Sequence, residues 1–231
     1  MKNEMLDRGS LTLSQIVDLL LLNGTLTRCP GLARGKMGIA IFFFHYARYT
    51  GNDLFQRYGW DLLEAVLNQV HATYRADYER GIAGIGVGID YLIKNQFVEA
   101  DSGIFEDFDE RMTRATYYEP YANLTRDEGL TGYGDYWFCR QTDKRMSENA
   151  QACLNRIAEE IQKARPALSE LEIHDTDRFL FRYEGKSVEP ETVWKVGNPS
   201  DIVGLRDGYA GEGLLRLADL GGMDLAWQSL L

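Results

Sequence analysis

Two carboxylates, Asp135 and Glu212, follow glycine turns in this chain, and each is set just inside an expected helix start. Facing one cavity, such a pair serves as general acid and general base. In α/α folds a pair of this kind cleaves glycosidic bonds. Each carboxylate also has a plainer explanation, because an acidic side chain near a helix N-terminus is stabilised by the helix dipole. Tyr133, Tyr209 and Trp137 stand close by in the sequence and offer either stacking surface or core volume.

Nucleophilic and metal-ligating residues are sparse. The three cysteines, Cys29, Cys139 and Cys153, have no CxxC spacing, and none adjoins His45, His71 or His174. That pattern predicts reduced thiols in a cytoplasmic protein, with neither a disulfide framework nor a structural zinc site. His45 lies in an apolar run and reads as a core histidine. His71 reads as an exposed residue of an outer helix. His174 falls in a polar stretch, as a chance residue or a proton carrier.

One phrase recurs four times, each time before an apolar stretch: Arg34-Gly35-Lys36-Met37-Gly38, Arg80-Gly81-Ile82-Ala83-Gly84, Glu128-Gly129-Leu130-Thr131-Gly132 and Asp207-Gly208-Tyr209-Ala210-Gly211. The intervals are 46, 48 and 79 residues. Self-similarity at a long period is the signature of a repeat architecture. Glycines three apart lie on one side of a helical turn and admit a close neighbour there. Either the helix starts are squeezed against packed backbone, or the four turns surround a common opening. In the second reading Arg34, Arg80, Glu128 and Asp207 approach one another at a cavity mouth. There they pair as a ring of charge or hold a peptide or sugar.

The elements that must position these residues are paired helices. Leu11–Leu22 predicts a first helix, ended by Asn23-Gly24. Met37–Tyr49 is apolar all round and predicts a buried inner helix. After Thr50-Gly51-Asn52, an amphipathic outer helix is expected from Asp53 to about Tyr74. The order repeats: inner from Gly81 to Ile93, outer from Phe105 to Tyr117; inner from Gly132 to Cys139, outer from Ser147 to Ala164. Residues 167–203 form a polar insertion whose stretch Arg178–Tyr183 alternates loosely, predicting a small β-hairpin around 172–197. The last unit runs from Gly208 through Leu217, and Asp224–Leu231 closes the chain. The expected fold is all-α: one domain over 1–231, an α/α toroid or partial ring of helical hairpins.

Composition narrows the function. Apolar residues make up 45% of the 231 residues and charged residues 26%, ordinary values for a globular protein. A formal charge of −10, with no dense basic run, argues against nucleic acid and against anionic membrane surfaces. The first residues carry no signal-peptide pattern, and the run Leu11–Leu22 is too short to cross a bilayer.

The phrases Gly31–Ile39, Arg80–Ile89 and Asp207–Leu215 resemble the glycine-rich inner-helix starts of the lanthionine synthetase C-like (LanC-like) family. The likeness runs along nearly the whole chain outside 167–203. It implies an α/α toroid of seven inner and seven outer helices and work on peptides of the lantibiotic type; with four units recognisable here, the ring is incomplete, some units have lost their glycines, or the chain is a shortened relative. Family members that cyclise peptides hold a zinc ion through cysteine and histidine, and a Cys-His-Gly phrase supplies part of the set. The zinc lowers the pKa of a substrate thiol, which then adds to a dehydrated serine or threonine. That phrase is missing here: Cys139 precedes Arg140, Cys153 precedes Leu154 and Cys29 precedes Pro30. No zinc ligand and no other cofactor is therefore carried over.

The expected function is binding of a peptide, or of a protein engaged in peptide modification, without zinc-dependent cyclisation. The competing readings are a glycan hydrolase built on Asp135 and Glu212, and a structural interaction module. An incomplete ring would expose an apolar side and favour a homo-oligomer.

Overall fold

The computed structural model describes residues 11–100, 103–143, 146–186 and 203–231. Among these every regular element is helical. The order is α1 (Leu13–Gly24), α2 (Lys36–Thr50), α3 (Asp53–Leu67), α4 (Ile82–Lys94), α5 (Glu106–Tyr118), α6 (Leu130–Arg140), α7 (Ser147–Ala164), α8 (Glu170–Tyr183) and α9 (Tyr209–Asp219). Two 3-10 turns, Arg165–Ala167 and Ala226–Leu230, complete the set.

The repeated glycine phrase starts four of these helices. Gly35, Gly81, Gly129 and Gly208 are the N-caps of α2, α4, α6 and α9, all with extended backbone and without a side-chain cap. A helix start without a capping side chain leaves its first amides in need of acceptors. The preceding loop supplies them. Lys36 N donates to Cys29 O at 2.9 Å, Ile82 N to Arg75 O at 2.9 Å and Leu130 N to Asn123 O at 3.1 Å. The next amides repeat the pattern: Met37 N to Pro30 O, Ala83 N to Ala76 O and Ala210 N to Val203 O, each at 3.2 Å. At Thr131 the hydroxyl makes the corresponding bond, to Leu124 O at 2.9 Å. α3 stops at Leu67 rather than near Tyr74: Gln69 N and Val70 N turn back to Val66 O and Leu67 O at 3.0 and 3.2 Å, which opens the loop whose Arg75 and Ala76 carbonyls serve the next helix start.

The second glycine of each phrase makes room for the same loop. A Cβ on Gly38, Gly84, Gly132 or Gly211 would stand within 2.5 Å of the carbonyl oxygen of Leu32, Tyr78, Arg126 or Leu205, respectively. Backbone packed that tightly excludes every other residue type.

The glycine-started helices pack in the order α9, α2, α4, α6, and α8 follows beyond α6. Aromatic rings lock successive members. Phe42 of α2 fills the notch over Gly213 of α9, Tyr136 of α6 the notch over Gly86 of α4, and Phe179 of α8 the notch over Gly134 of α6. Outside them, α3 packs on α2, α5 on α4, α7 on α6, and α1 on α9. The first helix thus partners the last. Residues Lys36–His45 of α2 are all buried, as its uniform apolarity predicts. Each of Phe42, Phe43 and Phe44 removed from water contributes about 2–3 kcal/mol.

The β-hairpin expected around 172–197 is not there in its first half. Residues through Tyr183 form α8, and 187–197 lie outside the described residues. Ser169 and Glu172 form a reciprocal capping box at its start. Thr176, Phe179 and Tyr183 turn inward at helical spacing, while Phe181 stays exposed. The apparent alternation of Arg178–Tyr183 was the edge of a helical stripe.

Candidate functional site

The four loops that end in Gly35, Gly81, Gly129 and Gly208 lie edge to edge. Arg206 N of the fourth corner donates to Ala33 O of the first at 2.9 Å. Ala33 N donates to Glu79 O of the second at 3.2 Å. Tyr78 N and Glu79 N donate to Asp127 O of the third at 3.1 and 3.0 Å. Beyond the third corner, carboxylates of α8 continue the series: Glu172 accepts from Leu124 N at 3.1 Å and Asp175 from Arg126 N at 2.7 Å. Corners far apart in sequence thus share one strip of main-chain hydrogen bonds.

A cavity of about 630 Å3 opens over this strip, with Arg34, Arg80, Glu128, Arg206 and His174 among its lining residues. Three of the four expected mouth charges therefore border one opening. Asp207 is not among the lining residues, and its backbone takes a left-handed φ of 53°. The glycines expected at the mouth lie in the helix starts beneath the opening. Arg34 and Arg80 do not pair with Glu128 or Asp207. Both guanidinium groups meet one buried carboxylate, Glu79, at 2.6 and 3.2 Å. Their side chains remain 40% and 47% exposed, so each keeps a face toward solvent.

An inner cavity of about 420 Å3 lies behind the corners, bordered by Tyr78, Asp90, Arg126, Asp135, Cys139 and Arg182 among others. Asp135 is clamped between Arg126 at 2.5 Å and Arg182 at 3.0 Å. Burial alone would raise its carboxyl pKa, but the two guanidinium groups outweigh burial and hold it below the usual range. A general acid needs the opposite shift. Glu212 pairs with Arg216 one turn along α9 at 2.7 Å and is not among the residues lining this cavity. The two carboxylates therefore do not share it. Trp137 and Tyr133 are core residues, and the Trp137 indole donates to Thr116 Oγ1 at 3.0 Å.

Burial pushes the thiols of Cys139 and Cys153 up to about 12, so both are protonated at neutral pH. Cys29 is half-buried in the first corner's loop. His45 is buried, with Nε2 at 2.7 Å from the Tyr91 hydroxyl. Burial, helped by Arg48, lowers its pKa to about 4. His71 is exposed, and His174 sits on α8 beside Asp175 at 3.1 Å. Among the described residues no three His, Cys, Asp or Glu side chains converge as a metal set. The described residues therefore do not fit the zinc centre that the resemblance implies.

The residues just before the charged ones, Tyr78-Glu79, Arg126-Asp127 and Leu205-Arg206, carry contacts that the repeated phrase itself does not signal. These pairs occupy equivalent places in the repeated phrase. The first corner carries Leu32-Ala33 at those places, so only the second of the two positions is charged in three corners of four. No family model, curated protein or solved structure matches this chain.

Proposed function

We propose that this chain is a LanC-like helical-hairpin protein that binds a peptide, or a protein engaged in peptide modification, across its four corners, without zinc-based thiol activation. The observation that carries the reading is the shared strip of corner hydrogen bonds beneath a charged opening. Repeated loops brought edge to edge by their own backbone build a fixed concave face, and fixed faces bind with little ordering cost. Arg34 and Arg80 offer half-exposed guanidinium groups, while Glu128 offers an opposite charge at the same opening. Such a mixture recognises an extended chain carrying both signs of charge. The glycan-hydrolase reading draws no support from the geometry, since Asp135 is held as an ion and Glu212 lies elsewhere.

The test is fluorescence anisotropy with labelled cysteine-containing peptides that also carry dehydrated serine or threonine, in buffer with a zinc chelator. Saturable binding is expected, weakened several-fold by Arg80→Gln, since loss of one rim charge reduces affinity modestly. Arg34 still holds Glu79 in that variant, so the fold is retained. Binding that requires added zinc, or that ignores Arg80→Gln, rejects the proposal.

A further inference from the structure

The segment Asp224–Leu231 sits inside the ring of corners and is held there in an unusual way. Its 3-10 turn packs on α4, and Trp227, Leu230 and Leu231 are buried. Two consecutive main-chain oxygens then receive donors from three different corners. The Tyr78 hydroxyl donates to Leu230 O at 2.8 Å. Arg126 Nη1 and Arg206 Nη2 both donate to Leu231 O, the second at 3.4 Å. Arg126 is itself fixed by Asp135 through Nε and by the Tyr78 hydroxyl, which lies 3.0 Å from Nη2.

These donors read main-chain oxygen, which every peptide carries, and no side chain of the segment contributes to them. The segment also separates the two cavities. Leu231 lines the mouth cavity, Ser229 and Leu230 line the inner one, and Arg126 and Asp175 border both. Its fit is imperfect. The Trp227 indole N–H is buried without a hydrogen-bond partner, whereas that of Trp137 reaches Thr116. A buried donor left unpaired opposes burial of the group that carries it.

From this arrangement we infer that the centre of the corners is a peptide site whose resident occupant is the chain's own Asp224–Leu231. The inference rests on the peptide-binding reading above and adds its regulation. At this centre the incoming peptide presents an aromatic residue followed by a leucine pair and is bound through two successive main-chain oxygens. Departure of the resident segment joins the two cavities into one passage and frees Tyr78, Arg126 and Arg206 for the incoming chain.

The experiment uses the full chain and a labelled peptide with the sequence of residues 224–231. The double variant Trp227→Ala/Leu230→Ala, which weakens the resident segment, is expected to bind that peptide about tenfold more tightly than the unaltered chain, because the competent state is no longer rare. A scrambled peptide is expected not to bind. Hydrogen exchange on the unaltered chain gives a second readout that needs no substitution. Saturating peptide is expected to speed exchange of the Gln228 and Leu231 amides about tenfold while α4 amides stay protected. The inference is overturned if neither form binds the peptide, or if bound peptide leaves those two amides unchanged. Where binding sensitive to Arg80→Gln persists alongside such a result, the mouth reading survives and only the resident-segment idea falls.

Discussion

The Arg206 guanidinium donates to the Asp127 carboxylate, and these two residues hold the same place in the fourth and third corners. Main-chain bonds already connect the fourth corner through the first and second to the third. This side-chain contact returns from the fourth to the third directly, so contacts run all the way round.

The second carboxylate oxygen of Asp127 is buried without a partner, which makes the Arg206 contact its main compensation. The Asp127 side chain is 39% exposed, so solvent screens the pair and limits its strength. A double-mutant cycle of Arg206→Ala and Asp127→Ala, followed by urea unfolding, is expected to give a coupling of about 1 kcal/mol. Strictly additive single effects would show that the corners hold together through backbone alone.

The second glycines give a test whose sign is informative. Alanine in place of glycine within an open helix stabilises by about 1 kcal/mol. At Gly84 the added Cβ would collide with the Tyr78 carbonyl oxygen, which belongs to backbone and has nowhere to move. Gly84→Ala is therefore expected to destabilise by about 1–3 kcal/mol, the usual range for overpacking. Denaturant midpoints decide between the two signs, and a stabilised variant would refute the clamped-loop account.

The helices and their boundaries were largely legible in the sequence, for a physical reason that the glycine clamp makes plain. A loop that must lie against a helix start demands glycine at fixed positions, and that demand survives in every unit. α2 was legible because a helix apolar on all sides has one place to go. α8 was not, since only Thr176 and Phe179 are fully buried on it, and so short a stripe mimics strand alternation. The partners of the charges were less legible. Arg34, Arg80, Glu128 and Asp207 share a register, which fits either a ring of ion pairs or a polar mouth. The structure gives both cations to Glu79, whose place one residue earlier points it inward. Asp135 likewise showed its position in the sequence, while its two arginine partners come from the third corner and from α8.

His45 makes stability depend on pH in a defined window. Its folded pKa is lowered to about 4 from an ordinary value of 6.5, chiefly by burial. Between those values the unfolded chain takes up a proton that the folded chain refuses, so stability falls as pH drops from 6.5 toward 4. The loss reaches about 3 kcal/mol by the low end of that window, at 1.36 kcal/mol per pH unit. His45→Gln removes the titration and is expected to flatten that part of the curve. Thermal midpoints between pH 7 and pH 4.5 for both proteins check this, with the carboxylate contributions common to each. Parallel curves would assign the acid sensitivity to other groups.

The contact between α5 and α6 turns on a buried ion pair. Asp109 accepts from Arg140 Nε at 2.9 Å and Nη2 at 3.0 Å, and from the Tyr136 hydroxyl at 2.6 Å. Both charged side chains are almost wholly buried, so removing one strands the other in a poorly solvating interior. Asp109→Ala is expected to cost about 3–5 kcal/mol on that ground. Arg140 keeps Asp143 at 3.2 Å and the Phe105 ring at 4.3 Å, which places the cost toward the lower end. Tyr136→Phe deletes one hydrogen bond to a charged group and leaves the ring in its notch over Gly86, so about 1.5–3 kcal/mol is expected. Chemical denaturation of both variants ranks them. If Tyr136→Phe proved the more damaging, the phenol and not the ion pair would be what holds α5 against α6.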